Sequence, residues 1–363
     1  MATDVFHRTA YAEQMAQQLL QPSPLHMNVR SGVLLSGIRR VGKTTFLRQD
    51  LVPALEARGA LVVYVDLWAD RSKSPATLVL DAVRATLQQM QTPGSGLLQR
   101  FKGLNLGAVG LTLGFQIEHL GTPGGATLAQ AFFELVAKAR VDVVLIVDEV
   151  QQALGTEDGT SQMHALRAAR DARNGQPATS GHYLFLGNGS HKSLTTDMAT
   201  RHSQPFTGAL TTAYEPLGQD FVQWQLQRIA SAPGVVLPSA ATAWAGFEAL
   251  GHRPEEMLKA LVQLQSAQAP ADQAFPIICA TLASAAADVE LRAIEEFGEL
   301  GQAVFDFIAQ GSETGVSGLF GEEAMASYAA RTGGKVPTSQ VQKLAEKMIS
   351  ANLIARPGHG IYT

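Results

Sequence analysis

Eight residues constrain this chain more than any others. Gly37-Ile38-Arg39-Arg40-Val41-Gly42-Lys43-Thr44 follows the apolar run Gly32-Val33-Leu34-Leu35-Ser36. It leads into Thr44 to Arg58, where Phe46, Leu47, Leu51 and Leu55 recur on one side. A strand, a Gly-x-x-x-x-Gly-Lys-Thr turn and a helix in that order form a phosphate cradle. A triphosphate carries several negative charges, and the consecutive backbone N–H groups of a glycine-rich turn converge on an anion. The helix starting at about Lys43 adds the positive end of its dipole. Gly37 and Gly42 permit an approach that a Cβ would block. Lys43 is expected to reach the β- and γ-phosphates, and the Thr44 hydroxyl to ligate Mg²⁺. The candidate ATP contacts are therefore Gly37, Ile38, Arg39, Arg40, Val41, Gly42, Lys43, Thr44 and Thr45. Pro53 predicts a kink in the helix or an early end to it.

About a hundred residues on, Val143-Val144-Leu145-Ile146-Val147 ends in Asp148-Glu149. Parallel sheets bind ligands at the carboxyl ends of their strands, which is where these two carboxylates fall. Asp148 is expected to hold the Mg²⁺ shell, and Glu149 to act as the base that orients and polarises the attacking water. A further apolar stretch, Tyr183-Leu184-Phe185-Leu186, ends in Gly187-Asn188-Gly189-Ser190. A polar side chain there belongs between the two elements above, on the γ-phosphate or the lytic water. Asn188 is the first choice and Ser190 the second; the plain alternative is a Gly-Asn-Gly turn.

The rest of the chain supplies a frame for these motifs. Residues 8 to 21 read as an amphipathic helix closed by Pro22 and Pro24. Ala60 to Leu67 reads as a buried strand, and Pro75 to Met90 as a helix begun by Ser74 and Pro75. Helices are also expected at 127 to 140 and 160 to 173. Strands that are apolar throughout and alternate with helices predict a parallel sheet covered on both faces. Residues 93 to 125 hold nine glycines and two alternating stretches, predicting a β-hairpin or bulged ribbon. That ribbon either meets a partner or pore, or packs as an insertion. From Leu217 to residue 297 the pattern is helical throughout, with no strand signal. The last segment has three helical stretches and a hairpin from Ile354 to Tyr362, which suggests a winged helix-turn-helix.

The expected fold class is therefore α/β: a P-loop NTPase parallel-sheet core at 1–215, with the ribbon at about 94–125. An all-helical lid follows at 216–297 and a C-terminal winged helix at 298–363. With 46% hydrophobic residues a packed core is within reach. Cys279 is the single cysteine, in an apolar setting, and reads as a small buried hydrophobe. The N-terminus lacks a signal-peptide pattern. Runs such as Val143 to Val147 fall short of the ~20 apolar residues a membrane span needs, so the expectation is a cytoplasmic protein with no membrane partner.

These motifs resemble the AAA+-like ATPases of the archaeal-type and STAND grouping, relatives of origin-recognition ATPases. The matching stretches are GIRRVGKTTFL (37 to 47), VVYVDL (62 to 67), VLIVDEVQQAL (144 to 154), LFLGNGS (184 to 190) and YEPLGQDFVQW (214 to 224). Residues 328 to 363 look like that family's winged helix. The resemblance implies an ATP-hydrolysing switch or assembling ATPase in which ATP or ADP state is coupled to DNA or a protein partner, with self-association. It suits roles in mobile-element biology, phage defence or DNA transactions. It also implies a sensor arginine, and Leu250-Gly251-His252-Arg253-Pro254 places Arg253 in that role over the γ-phosphate. Family members often carry an arginine after a glycine near the start of the lid. Pro205-Phe206-Thr207-Gly208-Ala209 has none, so Arg201 stands as a weak substitute. Arg167, Arg170 and Arg173 are alternatives that would serve a neighbouring subunit.

The net charge of −4 offers no whole-chain footprint for nucleic acid. Residues 298 to 363 carry six acidic and five basic side chains. All five basic ones fall between 328 and 363 against the single acid Glu346. Lys335, Gln340, Lys343, Lys347 and Arg356 are the candidate DNA contacts, on the expected recognition helix (about Thr338 to Ser350) and wing. The alternative is a winged helix that docks a protein and never touches DNA. A stand-alone enzyme with a small-molecule acceptor, or a scaffold that only binds nucleotide, fits the chain less well.

Overall fold

The computed structural model describes residues 5–70, 72–92, 116–176, 181–190, 198–199, 204–311, 315–351, 353–354, 356 and 360–363. Residues 93–115 of the expected ribbon and Arg201 lie outside them. Two compact units divide the chain: the first ends at Tyr214, and the second comprises Glu215 to Thr363 together with Arg39–Gly42 of the glycine loop.

The first unit is built on five strands: β1 (Val33–Ser36), β2 (Leu61–Asp66), β3 (Val143–Asp148), β4 (Tyr183–Gly189) and β5 (Leu210–Ala213). They run in the order β2-β3-β4-β1-β5, every neighbouring pair parallel. Every residue of β1, β3 and β4 is buried, which is the burial a sheet with both faces covered requires. β5 is different: its Leu-Thr-Thr-Ala alternates half-buried and exposed at the sheet edge. The helices of this unit are α1 (Thr9–Leu20), α2 (Lys43–Phe46), α3 (Val52–Ala57), α4 (Pro75–Gln91), α5 (Leu128–Ala139) and α6 (Glu157–Asn174). Their starts follow local chemistry. Ser74 caps α4 by accepting from Thr77 N, and Thr127 and Gln130 form a reciprocal capping box on α5.

Pro53 does leave its mark. Between α2 and α3 the backbone widens into a π-helical turn, Leu47–Leu51, and Pro53 follows in the first turn of α3. Proline has no N–H, and its ring crowds the carbonyl four residues back, so one wider turn relieves what would otherwise be a kink.

The second unit begins with α7 (Gln219–Ala230), α8 (Ala240–Ala249), α9 (Pro254–Leu264) and α10 (Ala271–Glu295). α10 packs on α8 and α9, and Gly246 of α8 meets Phe275 and Cys279 where a Cβ would collide with both. By length and composition α10 could cross a membrane: 25 residues with a mean hydropathy of 1.5 in its most apolar window. This differs from the sequence reading, because alanines rather than an unbroken Val/Ile/Leu run carry the hydropathy. The remaining elements are α11 (Gly298–Ala309), β6 (Val316–Ser317), α12 (Glu322–Thr332), α13 (Thr338–Ser350) and β7 (Ile361–Tyr362). They enclose a separate apolar core that includes Val304, Leu319, Tyr328, Val341 and Met348. β7 pairs antiparallel with β6, about forty-five residues back, while residues 355 and 357–359 of the hairpin expected at 354–362 lie outside the described ones.

Candidate functional site

The strand order decides which motifs meet. β4 lies between β1, which feeds the glycine loop, and β3, which ends in Asp148. The register sets Asn188 beside Asp148 on one side and Leu35 on the other, while Asp66 of β2 lies beside Asp148 across the other edge of β3. Three polar side chains thus reach the carboxyl edge of the sheet at one level.

The loop between β1 and α2 is left-handed twice, at Arg40 (φ 65) and Gly42 (φ 95). A Cβ on Gly37 would lie 3.1 Å from Tyr214 Cβ and 3.3 Å from Lys43 Cδ, so the residue before the turn has no room to spare. Lys43 is 5% exposed, and its Nζ donates to the carbonyls of Gly37 (2.7 Å) and Ile38 (2.6 Å). A buried ammonium is costly unless it is paired, and these carbonyls hold it against the loop. The segment before α1 is tied to the same region: His7 Nδ1 lies 2.7 Å from Asp50 Oδ1, and Arg8 N donates to Asp50 Oδ2 at 3.1 Å. Arg8 stacks on Tyr11 and Tyr214, and Phe46 closes that aromatic group.

Asp148 is 1% exposed and accepts four hydrogen bonds. Thr44 Oγ1 (2.7 Å) and Tyr64 OH (2.6 Å) donate to Oδ2. Asn188 Nδ2 and Glu149 N (3.0 Å) donate to Oδ1. Burial, and then Asp148, push the Tyr64 hydroxyl well above the ordinary tyrosine pKa, so it remains a donor. Glu149 takes the left-handed conformation (φ 55, ψ 42) at the head of the 3₁₀ turn Val150–Gly155. Its carboxylate accepts from Gln151 Nε2 and from Ser190 Oγ (3.1 Å).

The donor set suits a hard divalent cation. A threonine hydroxyl and a carboxylate, already hydrogen-bonded to each other, are oxygen ligands of the kind Mg²⁺ prefers. Asn188 Oδ1 is buried with no partner among the described residues, leaving one acceptor for a water or a ligand group. Thr44, Asp148, Glu149, Asn188 and Ser190 are thus brought together with Lys43 beside the loop.

Sequence reasoning missed Tyr64 and Gln151. Each had a faint signal: Tyr64 is the polar tip in an otherwise apolar strand, two residues before Asp66, and Gln151 stands two residues after Glu149.

The other candidates stand on other elements of the chain. Arg253 is the N-cap of α9, following left-handed Gly251 and His252, and it lines a small recess of about 200 Å³ with Glu256 and Leu282. Of the arginines considered for a neighbouring subunit, Arg170 and Arg173 are 4% and 6% exposed. Arg170 bonds Ser31 O and Asp171 and lies over Phe206; Arg173 lies over Phe133. Their stems cover apolar surface of their own unit, so neither extends outward. Arg167 is partly exposed and reaches Asp171 and Gln204 O.

In the second unit, Gln340, Lys343 and Lys347 share one side of α13. They line a recess of about 400 Å³ with Phe297, Leu300 and Leu344. Lys335 is exposed ahead of α13, and Arg356 lies 5.8 Å over the Tyr362 ring. Arg331, counted among the basic residues of the tail, is paired with Asp306.

The Aeropyrum pernix ORC2 protein in its ADP form superposes on the whole chain: TM-score 0.54, 14% identity, 100% of this chain and 90% of that one. The same protein in its ADPNP–ADP complexes gives 0.52 at 13% identity, over 99% and 91%. This is the origin-recognition AAA+ fold. At such identity the likeness is one of fold, with the glycine loop following β1 and Asp148 ending β3 within it. No protein-family model matches the chain, and no curated protein matches it in sequence.

Proposed function

We propose that the chain is a Mg²⁺-dependent ATPase that works as a switch, coupling its nucleotide state to engagement of DNA or a protein partner. One observation carries the reading: hydrogen bonds join Thr44, Asp148, Glu149 and Asn188 where β1, β3 and β4 end, and buried Lys43, next to Thr44, is held by the Gly37 and Ile38 carbonyls. The nucleotide-bound forms of the ORC2 protein that shares this fold support it.

In this reading the loop from Gly37 to Thr45 binds the phosphates through backbone N–H groups, and Lys43 exchanges its carbonyl partners for phosphate oxygens. Thr44 and Asp148 would hold Mg²⁺, which when bound would supply positive charge to the phosphates. Glu149 accepts a proton from the attacking water. The water oxygen bonds to the γ-phosphorus as the bond to the bridging oxygen breaks, and ADP leaves with that electron pair. Asn188 fixes Asp148 and offers its buried carbonyl oxygen to the water. Arg253 is the sensor carried over from the family resemblance.

For the second unit, one observation favours protein docking over DNA. With Arg331 paired and Arg356 stacked on Tyr362, the phosphate-facing charge of the tail reduces to three lysines. Two of those line a recess together with Phe297, Leu300 and Leu344.

The deciding experiment is steady-state ATP hydrolysis over a protein concentration series, with and without duplex DNA and with Glu149→Gln as the blank. Glu149→Gln is expected to retain ATP and lose at least about 10²-fold in kcat. Undiminished turnover moves the base elsewhere. Stimulation by duplex DNA supports DNA coupling, and indifference to it supports the docking reading.

A further inference from the structure

Glu149 pays for its place twice. A non-glycine residue in the left-handed region is strained by its Cβ, and here it stands directly after a strand. Its carboxylate is also not free to turn. Oε2 accepts from Gln151 Nε2 and from Ser190 Oγ at 3.1 Å, and the same Gln151 nitrogen reaches Ser190 Oγ at 3.1 Å. These three side chains close a triangle over the end of β3, the turn Val150–Gly155 and the end of β4.

Both donors are buried, Gln151 at 4% exposure and Ser190 at 5%. Gln151 Oε1 has no partner among the described residues, and an orphaned buried carbonyl loses its hydration without recompense. A leucine of similar size would avoid that cost and fill the same space. The glutamine therefore acts through its N–H₂ group, and what that group holds is Glu149.

On the reading of this site as an ATPase, we propose that Gln151 is a positioning residue for the base. With Ser190 it draws one oxygen of Glu149 inward, fixes the carboxylate against the left-handed backbone, and leaves the other oxygen, Oε1, to take the proton of the attacking water. In this role both residues act through Glu149 and not on the phosphates. Their effect belongs in the rate of the chemical step and not in nucleotide affinity.

The test uses the full chain, with kcat and KM for ATP hydrolysis and the affinity for a fluorescent methylanthraniloyl ATP measured on each variant. Gln151→Leu is expected to lower kcat about tenfold, with KM and analogue affinity within about twofold of wild type. In a Glu149→Gln background the same change should add less than about twofold, because the group it positions is gone. Ser190→Ala should fall in kcat in the same sense, and Ser190→Thr, which keeps the hydroxyl, should recover it. Those two also carry the test if Gln151→Leu does not fold. An unchanged or raised kcat in folded Gln151→Leu overturns the inference. So does a loss confined to KM, or a loss of the same size with and without the Glu149 carboxylate. Turnover that survives Glu149→Gln moves the base elsewhere and overturns the inference, whereas a wild-type chain without ATP turnover overturns the ATPase reading itself.

Discussion

Of the buried polar and charged side chains among the described residues, nine lie in the first unit and Gln225 alone in the second. Five of the nine, Lys43, Asp148, Gln151, Asn188 and Ser190, stand at the carboxyl edge of one sheet or in the loops just beyond it. There, burial is accepted because each side chain makes at least one hydrogen bond. The second unit buries Phe247, Phe275, Met257 and Leu261 in its helical part, and Val304, Tyr328 and Val341 in its last part. Where polar groups are taken out of water at such cost, the position of a few atoms matters, and that is where chemistry is to be sought. Where the interior is apolar, function is left to the surface.

The contrast can be broken most sharply at Lys43. Lys43→Ala removes the buried ammonium, and binding of the fluorescent ATP analogue should be lost, by about 100-fold or more. Wild-type affinity in that variant, measured by fluorescence titration, removes the loop from the site. The second unit should respond through packing instead. At Gly246 an added Cβ would lie 2.5 Å from Phe275 Cε1 and 2.9 Å from Cys279 Sγ. Gly246→Ala is therefore expected to cost about 1–3 kcal/mol in chemical denaturation. A neutral result means that α8 and α10 yield at that contact.

The smallest effect sharpens the comparison from within the first unit. Tyr183 is fully buried against Phe132, ring centroids 4.4 Å apart, and its hydroxyl has no partner among the described residues. It lies at the start of β4, far along the strand from Asn188. Tyr183→Phe should leave stability unchanged or raise it by up to about 1 kcal/mol. A loss larger than that would mean that the hydroxyl is satisfied, and that polar burial in this unit is paid for even away from the site.

Much of this was legible along the chain. The glycine loop, the apolar strand before Asp148-Glu149 and the strand before Asn188 are local patterns, and burial on both faces of a parallel sheet writes itself as unbroken apolar runs. Ser74 and Thr127 announce their helices because caps are made from neighbours a few residues away. β5 and β6 were not legible. Leu210–Ala213 is a four-residue edge strand with two threonines, and Val316–Ser317 is two residues long, so neither offers a period to read. The π turn ahead of Pro53 was foreseen only as a kink.

What the sequence determined by itself is the chemistry on offer: a lysine and a hydroxyl behind a glycine turn, two adjacent carboxylates at a strand end, and an amide at another. What only the tertiary structure decided is who holds whom. Tyr64 reaches Asp148 across 84 residues, Asn188 across 40 and Thr44 across 104, and Ser190 meets Glu149 because β4 lies beside β3. Periodicity reports whether a side chain is buried, since that depends on its own neighbours along the chain. It does not report the partner, because strand order and register are set by the packing of the whole sheet.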